Sequence, residues 1–373
     1  MREIEYWIWI SSLEGMGAVK AMSLLELYKN PRIIYDLSEK ELKQTKFLTE
    51  KNIEELLDKQ KKVRVNQIYQ LMIKHNIKMI NIFDDKYPHN LKQIYDPPVA
   101  LYYIGKFEIN DFAIAIVGSR RTTNYGSYSA KKLSYDLAMR GIQIVSGLAR
   151  GIDSIAHEGC LAARGKTIAV LGCGLDTIYP PENTNLFDEI IKSEGLVLSE
   201  YPPGMPPLQH NFPARNRIIS GISSGVLVVE AAKRSGSLIT ACYALEQGRE
   251  VFAIPGNIDC AYSRGTNQLI KDGAKMVICA EDILEEFEYL EVIDNSNTQN
   301  DTLRKSQTNF SIFKGLSTEE IRIVKIISNG IHHIDEIIAR CNISIKEANN
   351  ILFMLEMKGV ITQRPGKIFD MCF

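Results

Sequence analysis

The sequence predicts an α/β protein built on a doubly wound parallel sheet, flanked by smaller helical and winged-helix domains. Three observations carry this expectation. From about Ile77 to residue 290, short apolar runs alternate with amphipathic helical runs, the order of a parallel α/β sheet. The runs are apolar at nearly every position, as in strands buried on both faces. Glycine-rich turns recur where a strand hands over to a helix, which is where such sheets bind ligands.

Residues 1–76 read as a helical domain. Leu13-Glu14-Gly15-Met16-Gly17 lies between the apolar runs Tyr6–Ile10 and Val19–Tyr28. A Gly-x-Gly turn between two helices has the outline of a helix-hairpin-helix, which can hold a nucleic-acid backbone by its amides, or of a helical hairpin serving only as scaffold. Residues 77–290 form the central domain. Strands are expected over Ile77–Phe83, Val99–Ile104, Phe112–Val117, Ile142–Val145, Thr167–Leu171, Leu196–Leu198, Val226–Val229, Glu250–Ile254 and Lys275–Ile278. Helices are expected over Tyr125–Arg140, Asp153–Ala163, Asn185–Ser193, Arg215–Gly221, Leu238–Gln247, Asn267–Asp272 and Glu281–Phe287.

Residues 291–312 are rich in Asn, Ser, Thr and Gln and read as a flexible linker. In residues 313–373, three helical patterns (Leu316–Ser328, Ile334–Arg340, Ser344–Lys358) precede two strands turned at Arg364-Pro365-Gly366-Lys367, the order of a winged helix. Its third helix carries Lys346 and Lys358 but also Glu347 and Glu356. That balance favours protein contact or weak DNA contact over specific duplex readout.

The 373 residues exceed one compact core, and a 45% hydrophobic content suits a globular chain. No apolar run is long enough to span a bilayer, and the N-terminal stretch lacks a secretory pattern. Seven scattered cysteines without a Cys-x-x-Cys pair imply reduced thiols, a cytoplasmic location and no zinc site. The formal net charge is −1, so a polyanion has to be met by a local basic groove.

Such a groove has candidates in the turns Gly118-Ser119-Arg120-Arg121, Ser146-Gly147-Leu148-Ala149-Arg150-Gly151, Gly172-Cys173-Gly174, Lys233-Arg234-Ser235-Gly236-Ser237 and Pro255-Gly256. Glycine lets backbone amides approach an anion, the serines add hydroxyl donors, and the basic residues add charge. One such turn suggests a nucleotide phosphate; several along one sheet edge suggest a row of phosphates, that is, a nucleic-acid strand. The stretch Asn211–Ile219 adds an aromatic and a basic cluster. Pro213 suits a first helical turn, Asn211 is placed to cap it, Phe212 offers a ring to a base, and Arg215, Asn216 and Arg217 follow. The alternative is a core Phe212 with arginines paired to local carboxylates.

Catalytic candidates do not assemble. Asp153 and His157 share a helix face at a spacing that suits a structural hydrogen bond. Glu200 and Glu230 fall at strand ends, where each is better placed to hold an arginine such as Arg215 or Arg217 by a bidentate pair than to act as an acid. The dinucleotide fingerprint and the P-loop are both absent.

The ordered series Tyr87-Pro88, Asp96-Pro97-Pro98, Val117-Gly118-Ser119-Arg120, Ser146–Asp153, Gly172–Asp176, Tyr179-Pro180, Ser199-Glu200-Tyr201, Asn211–Ile219, Arg234–Thr240, Ala253–Gly256 and Gly265-Thr266-Asn267 resembles the DprA/Smf family of bacterial DNA-processing proteins over about residues 84–285. The resemblance implies an extended Rossmann-like fold, with a helix-hairpin-helix or SAM-like front and a winged-helix tail. It also implies a homodimer that binds and protects single-stranded DNA and helps load RecA recombinase during natural transformation, without enzymatic activity, cofactor or membrane. By the same resemblance, Arg120 is the leading phosphate contact and Phe212 the base contact. Arg215 and Arg217 line the groove, with Lys233, Ser235, Gly236 and Ser237 beside them. By the resemblance, Gln209 and Pro181 stand where family members carry lysine, which implies either weaker binding or compensation by Arg121 or Lys233. The competing expectation is a Rossmann-like nucleotide phosphoribohydrolase using Glu230 or Asp153, but the Pro-Gly-Gly-x-Gly-Thr-x-x-Glu motif of that group is missing.

Overall fold

A computed structural model describes residues 1–58, 61–110, 112–287 and, within 318–371, all but 329–332, 342, 344, 358–360 and 365–366. The expected linker, Lys358, and Pro365 and Gly366 at the wing turn lie outside the described residues, as do the side chains of Lys346 and Arg364. Two compact units are present, Met1–Glu291 and Val292–Phe373.

The larger unit is organised by a nine-stranded sheet. Its strands are β1 (Lys78–Asn81), β2 (Ala100–Gly105), β3 (Ala113–Val117), β4 (Gln143–Ser146), β5 (Thr167–Leu171), β6 (Leu196–Ser199), β7 (Gly225–Val228), β8 (Glu250–Ala253) and β9 (Lys275–Met276). They lie in the order β1-β2-β6-β5-β4-β3-β7-β8-β9. From β6 to β9 all neighbours are parallel. β1 and β2 depart from the all-parallel expectation: β1 pairs antiparallel with β2, and β2 antiparallel with β6. The connection from β1 to β2 carries only a one-turn helix, His89–Lys92, too short to serve as the helical crossover of a parallel pair.

Residue alternation in β3 shows why the sheet is covered twice. Ile114 and Ile116 point into a core with Ala130, Leu133, Leu137, Ile152 and Ala156. Ala113, Ala115 and Val117 point into the opposite core with Ile218, Ile219, Ile222, Ala241 and Ala244. The helices between strands supply these faces: α8 (Asn124–Met139) and α9 (Ile152–Ala162) on one side, α11 (Asn211–Ile222) and α12 (Gly236–Glu246) on the other. The remaining helices of this unit are α1 (Glu3–Ser11), α2 (Gly17–Tyr28), α3 (Pro31–Asp36), α4 (Glu39–Gln44), α5 (Glu50–Leu57), α6 (Lys61–Lys74), α7 (His89–Lys92), α10 (Thr184–Lys192), α13 (Arg264–Lys271) and α14 (281–287).

The first six helices share a hydrophobic core with β2, β5 and β6, where Trp7, Trp9, Leu24 and Leu25 meet Tyr102, Ala169, Leu171 and Val197. Ser11 Oγ and Tyr102 Oη lie 2.9 Å apart across this seam. Gly15 and Gly17 both have φ near +70°, which explains the Gly-x-Gly spacing of the α1–α2 turn. The Glu14 amide in that turn donates to the Glu55 carboxylate (3.1 Å), and Asn52 Nδ2 donates to Gly15 O (3.1 Å). A carboxylate therefore takes one amide of the turn.

The smaller unit has helices α15 (Thr318–Ser328), α16 (Ile334–Cys341) and α17 (Ile345–Met357), followed by the antiparallel strands β10 (Ile361–Arg364) and β11 (Ile368–Met371). Ile323, Ile327, Ile337, Leu352, Leu355 and Phe369 form its core. Three helices and a hairpin make the expected winged helix.

Candidate nucleic-acid interface

The chain leaves β3 for β4, β5 and β6 in turn, then returns through α11 to β7 on the other side of β3. The carboxyl ends of β3 and β7 therefore mark the switch point of the sheet, where loops diverge and leave a crevice. A cavity of about 580 Å³ opens there. The Gly118–Arg120 turn, one face of α11, Tyr179 and the N-terminus of α12 line it.

The register of α11 decides which side chains reach the cavity. The helix starts at Asn211, earlier than expected, with Pro213 in its first turn where no intrahelical N–H is needed. Asn211 is not the cap; His210 holds that position, and Asn211 Nδ2 donates to Gly172 O at 3.1 Å. Successive residues rotate about 100°, so Phe212, Arg215, Asn216 and Ile219 share a face, and all four line the cavity.

Arg217 points the other way. Its Nη1 and Nη2 donate to both oxygens of Glu200 (2.9 and 2.7 Å), and its Nε donates to Asp96 Oδ2 at 2.8 Å. Its side chain is 6% exposed, and it lines a separate pocket together with residues of the α1–α2 turn. The expectation that Arg217 lines the groove fails for this reason. The expected bidentate pairing of Glu200 with an arginine is present. Burial opposes the charge on Arg217, but Glu200 and Asp96 outweigh it and raise its pKa.

Arg215 forms the floor of the cavity. Its Nη1 donates to Gly147 O (2.7 Å) and to Val170 O, and its Nε to Asn216 Oδ1 (3.2 Å). Asp153 lies beside it and accepts the Gly147 amide at 3.2 Å. Only glycine fits at 147: a Cβ there would lie 2.6 Å from both Arg215 Nη2 and Asp153 Oδ2. Burial works against both charges, pushing Asp153 up and pulling Arg215 down, and each opposes the shift of the other. His157, one turn on, has Nδ1 2.7 Å from Thr167 Oγ1, whose hydroxyl donates to Ile144 O. Burial and the Arg215 charge lower the His157 pKa to about 3, so this ring is neutral and structural.

At the rim, the exposed Arg120 guanidinium lies 5.6 Å from the Phe212 ring centroid. Tyr179 adds a second ring, 5.4 Å from Phe212 at an interplanar angle of 36°. Sequence reasoning gave Tyr179 no contact role; the only signal was its place beside Pro180 after a glycine turn. On the far wall Ser235 caps α12, with Ser235 and Ser237 hydroxyls 2.7 Å apart and Gly236 exposed between them. The positive end of the α12 dipole and the Arg120 charge thus border the same space. Gln209 also lines it.

Other expected contacts have partners within the protein or lie outside the cavity, although Ser119 lines it and Gly147, Arg150 and Gly172 line a small adjoining pocket with Arg120, Tyr179 and Phe212. Ser119 Oγ donates to Arg121 O (2.6 Å), shaping the turn that presents Arg120. Ser146 is fully buried and donates to Ile116 O. The Gly147 amide is taken by Asp153 and the Gly174 amide by Met205 O (2.9 Å), while Gly172 is buried against Phe212. The Gly147 and Gly174 amides are thus taken within the protein, and Gly172 lets Phe212 pack close. Arg150 pairs with Glu182 beside Tyr179. Arg121 and Lys233 are exposed outside the cavity. Glu230 is 2% exposed and holds no arginine: it accepts Thr123 N (3.1 Å) and Thr123 Oγ1 (2.5 Å) at the N-cap of α8. Among the described residues no cluster of His, Cys, Asp or Glu is arranged for a metal ion, and no helix is long and apolar enough to cross a membrane.

A Rossmann-like sheet with a basic and aromatic switch-point cavity, in a chain that also carries a winged helix, defines a class of protein that handles polyanions. Comparison with known proteins narrows this. The family model for DNA recombination-mediator protein A matches residues 78–288, and that for the DprA winged helix domain matches residues 314–367. Protein Smf of Synechocystis sp. is 33% identical over 98% of both chains. The DNA processing protein DprA of Streptococcus pneumoniae is 51% identical over 56% of this chain and 74% of that one. A crystal structure of the pneumococcal protein superposes with a TM-score of 0.67 at 39% identity, covering 77% of this chain and 99% of that one. The DNA processing protein A of Helicobacter pylori, described for its single-stranded DNA binding mode, gives a TM-score of 0.52 at 32% identity over 57% of this chain and 96% of that one. The chain belongs to the DNA recombination-mediator protein A (DprA/Smf) family of DNA-processing proteins.

Proposed function

We propose that this protein binds an unpaired DNA strand along the rim of the switch-point cavity, protects it, and helps load RecA recombinase onto it during natural transformation or recombination. The observation that carries this reading is the Arg120–Phe212–Tyr179 group at the mouth of a cavity whose far wall is a helix N-terminus. The aromatic faces suit bases of any identity, while Arg120 and the α12 amides suit phosphates. A duplex keeps its bases stacked and hidden from these rings. The relative from Helicobacter pylori, named for a single-stranded DNA binding mode, supports the same choice.

The protein acts without chemistry of its own in this reading. His157, Glu200 and Glu230 are each engaged in internal bonds and do not line the cavity, while Asp153, which does, accepts the Gly147 amide beside the Arg215 guanidinium. This also counts against a phosphoribohydrolase. We place the protein in the cytoplasm as a homodimer, the setting in which RecA meets incoming strands.

The test compares affinity for oligo-dT and for a duplex of equal length across a salt titration, with solution mass measured in parallel. The expected result is preference for the single strand, with a slope of about −0.7 per neutralised phosphate. Equal or stronger duplex binding overturns the reading. RecA loading is tested by the rate of RecA's DNA-dependent ATPase on the same strand with and without this protein.

A further inference from the structure

The second arginine of the Asn211–Ile219 stretch is left unexplained by strand binding, since it faces away from the cavity. We infer that Arg217, Glu200 and Asp96 form an ionic clamp that positions α11, and that Arg217 sets strand affinity through Phe212 and Arg215 without touching DNA. The inference rests on the single-strand reading given above.

The geometry supports a positioning role. One guanidinium ties three separate parts of the chain together: α11, the residue after β6, and the loop leading to β2. Both Glu200 oxygens are engaged, so rotation of α11 about its own axis breaks two parallel hydrogen bonds at once. Asp96 adds a third direction, which fixes the helix along its axis. Gln247 Nε2, at the end of α12, donates to Arg217 O at 3.0 Å and links the helix carrying Ser235–Ser237 to the same residue. Both walls of the cavity are thereby referred to one residue, through its side chain on one side and its main-chain carbonyl on the other. On the cavity face, Arg215 reaches the carbonyl oxygens of two strand ends. A helix held from both faces has one rotational setting, and that setting fixes the position of Phe212 beneath Arg120. A guanidinium enclosed by two carboxylates also presents no net positive charge to a phosphate.

A positioning residue and a phosphate contact give opposite results when Glu200 is removed. If Arg217 were a phosphate contact restrained by Glu200, the Glu200→Gln variant would free it and bind DNA more tightly. If the clamp positions α11, the same variant binds more weakly. The experiment measures oligo-dT affinity against salt for wild type, Glu200→Gln, Asp96→Asn and Arg217→Lys, with 4-fluorophenylalanine placed at position 212 as a ¹⁹F NMR reporter. Expected are affinity losses of roughly tenfold for Glu200→Gln and less for Arg217→Lys, which keeps the charge but not the fork. The salt slope stays at the wild-type value, and the ¹⁹F resonance shifts or broadens in the free protein. Asp96 is the more exposed carboxylate, so Asp96→Asn carries the test if Glu200→Gln melts below the assay temperature.

Tighter binding by Glu200→Gln, or an unmoved ¹⁹F signal with wild-type affinity, overturns the clamp. Failure of the wild type itself to bind oligo-dT rejects the parent reading instead, and the ¹⁹F signal still reports whether the clamp positions α11.

Discussion

The Arg120 guanidinium and the Phe212 ring face each other at 5.6 Å, one from the turn after β3 and the other from the first turn of α11. They are far apart in sequence, and the return of α11 across the sheet brings them together. Their contributions to strand binding separate cleanly. Phe212→Ala removes stacking worth about 1–3 kcal/mol per base and leaves the salt slope unchanged. Arg120→Ala lowers the slope magnitude by about 0.7, because one counterion fewer is released. Salt-resolved titration of both variants with oligo-dT checks the pair, with circular dichroism confirming that each is folded.

Gly147→Ala tests the framework beneath that pair. The added methyl would meet Arg215 and Asp153 at 2.6 Å, and withdrawing either strains its bonds to backbone, Arg215 to Gly147 O and Asp153 to the Gly147 amide. A loss of roughly 1–3 kcal/mol in stability is expected, as for other overpacked sites. Weaker strand binding should accompany it, since Arg215 is the floor of the cavity. Urea denaturation and the same titration read the two effects.

Much of this fold was legible because strand burial is written as continuous apolar runs: Ala113–Val117 and Thr167–Leu171 could hardly be anything else. The site was legible in part. Arg120, Phe212 and Ser235–Ser237 were expected together, and all line one cavity. Arg217 was misplaced because composition drew attention to two arginines in three residues, whereas the helical period puts them about 200° apart. Ser146 and Gly174 were misread for a different reason. A small residue at a turn signals close approach of something, and in both cases that something is the protein's own backbone. Tyr179 was missed because its neighbour Phe212 comes from a distant element, a pairing that only the sheet order creates.

Glu230→Ala separates the strand-binding reading from the enzymatic one. This carboxylate lies against the amide and hydroxyl of Thr123 and within the space a Cβ at Gly126 would need, so it is a helix-terminal partner. Removing it leaves two half-buried donors of Thr123 without their partner, at a cost of at most about 1–3 kcal/mol. The melting temperature should fall while oligo-dT affinity at low temperature changes little. Release of free base from nucleoside monophosphates by the wild type, abolished in this variant, would instead favour hydrolysis.

His157 predicts a pH dependence with a definite sign. Burial, aided by the Arg215 charge, holds its folded pKa at about 3, against about 6.5 for an unfolded histidine. The folded state therefore favours the neutral ring, and the unfolded state takes up a proton first as the pH drops. The stability this group contributes is fully present above pH 6.5 and is lost as the pH falls from there towards 3. Between pH 7 and pH 5 the loss from this one group amounts to about 2 kcal/mol, at about 1.4 kcal/mol per pH unit once the unfolded histidine is protonated. His157→Gln starts from lower stability, because the bond to Thr167 is altered, but its unfolding free energy should decline less over the same interval. Urea titrations of both proteins at pH 7, 6 and 5 measure the difference, and parallel curves would show that His157 carries a proton in the folded state.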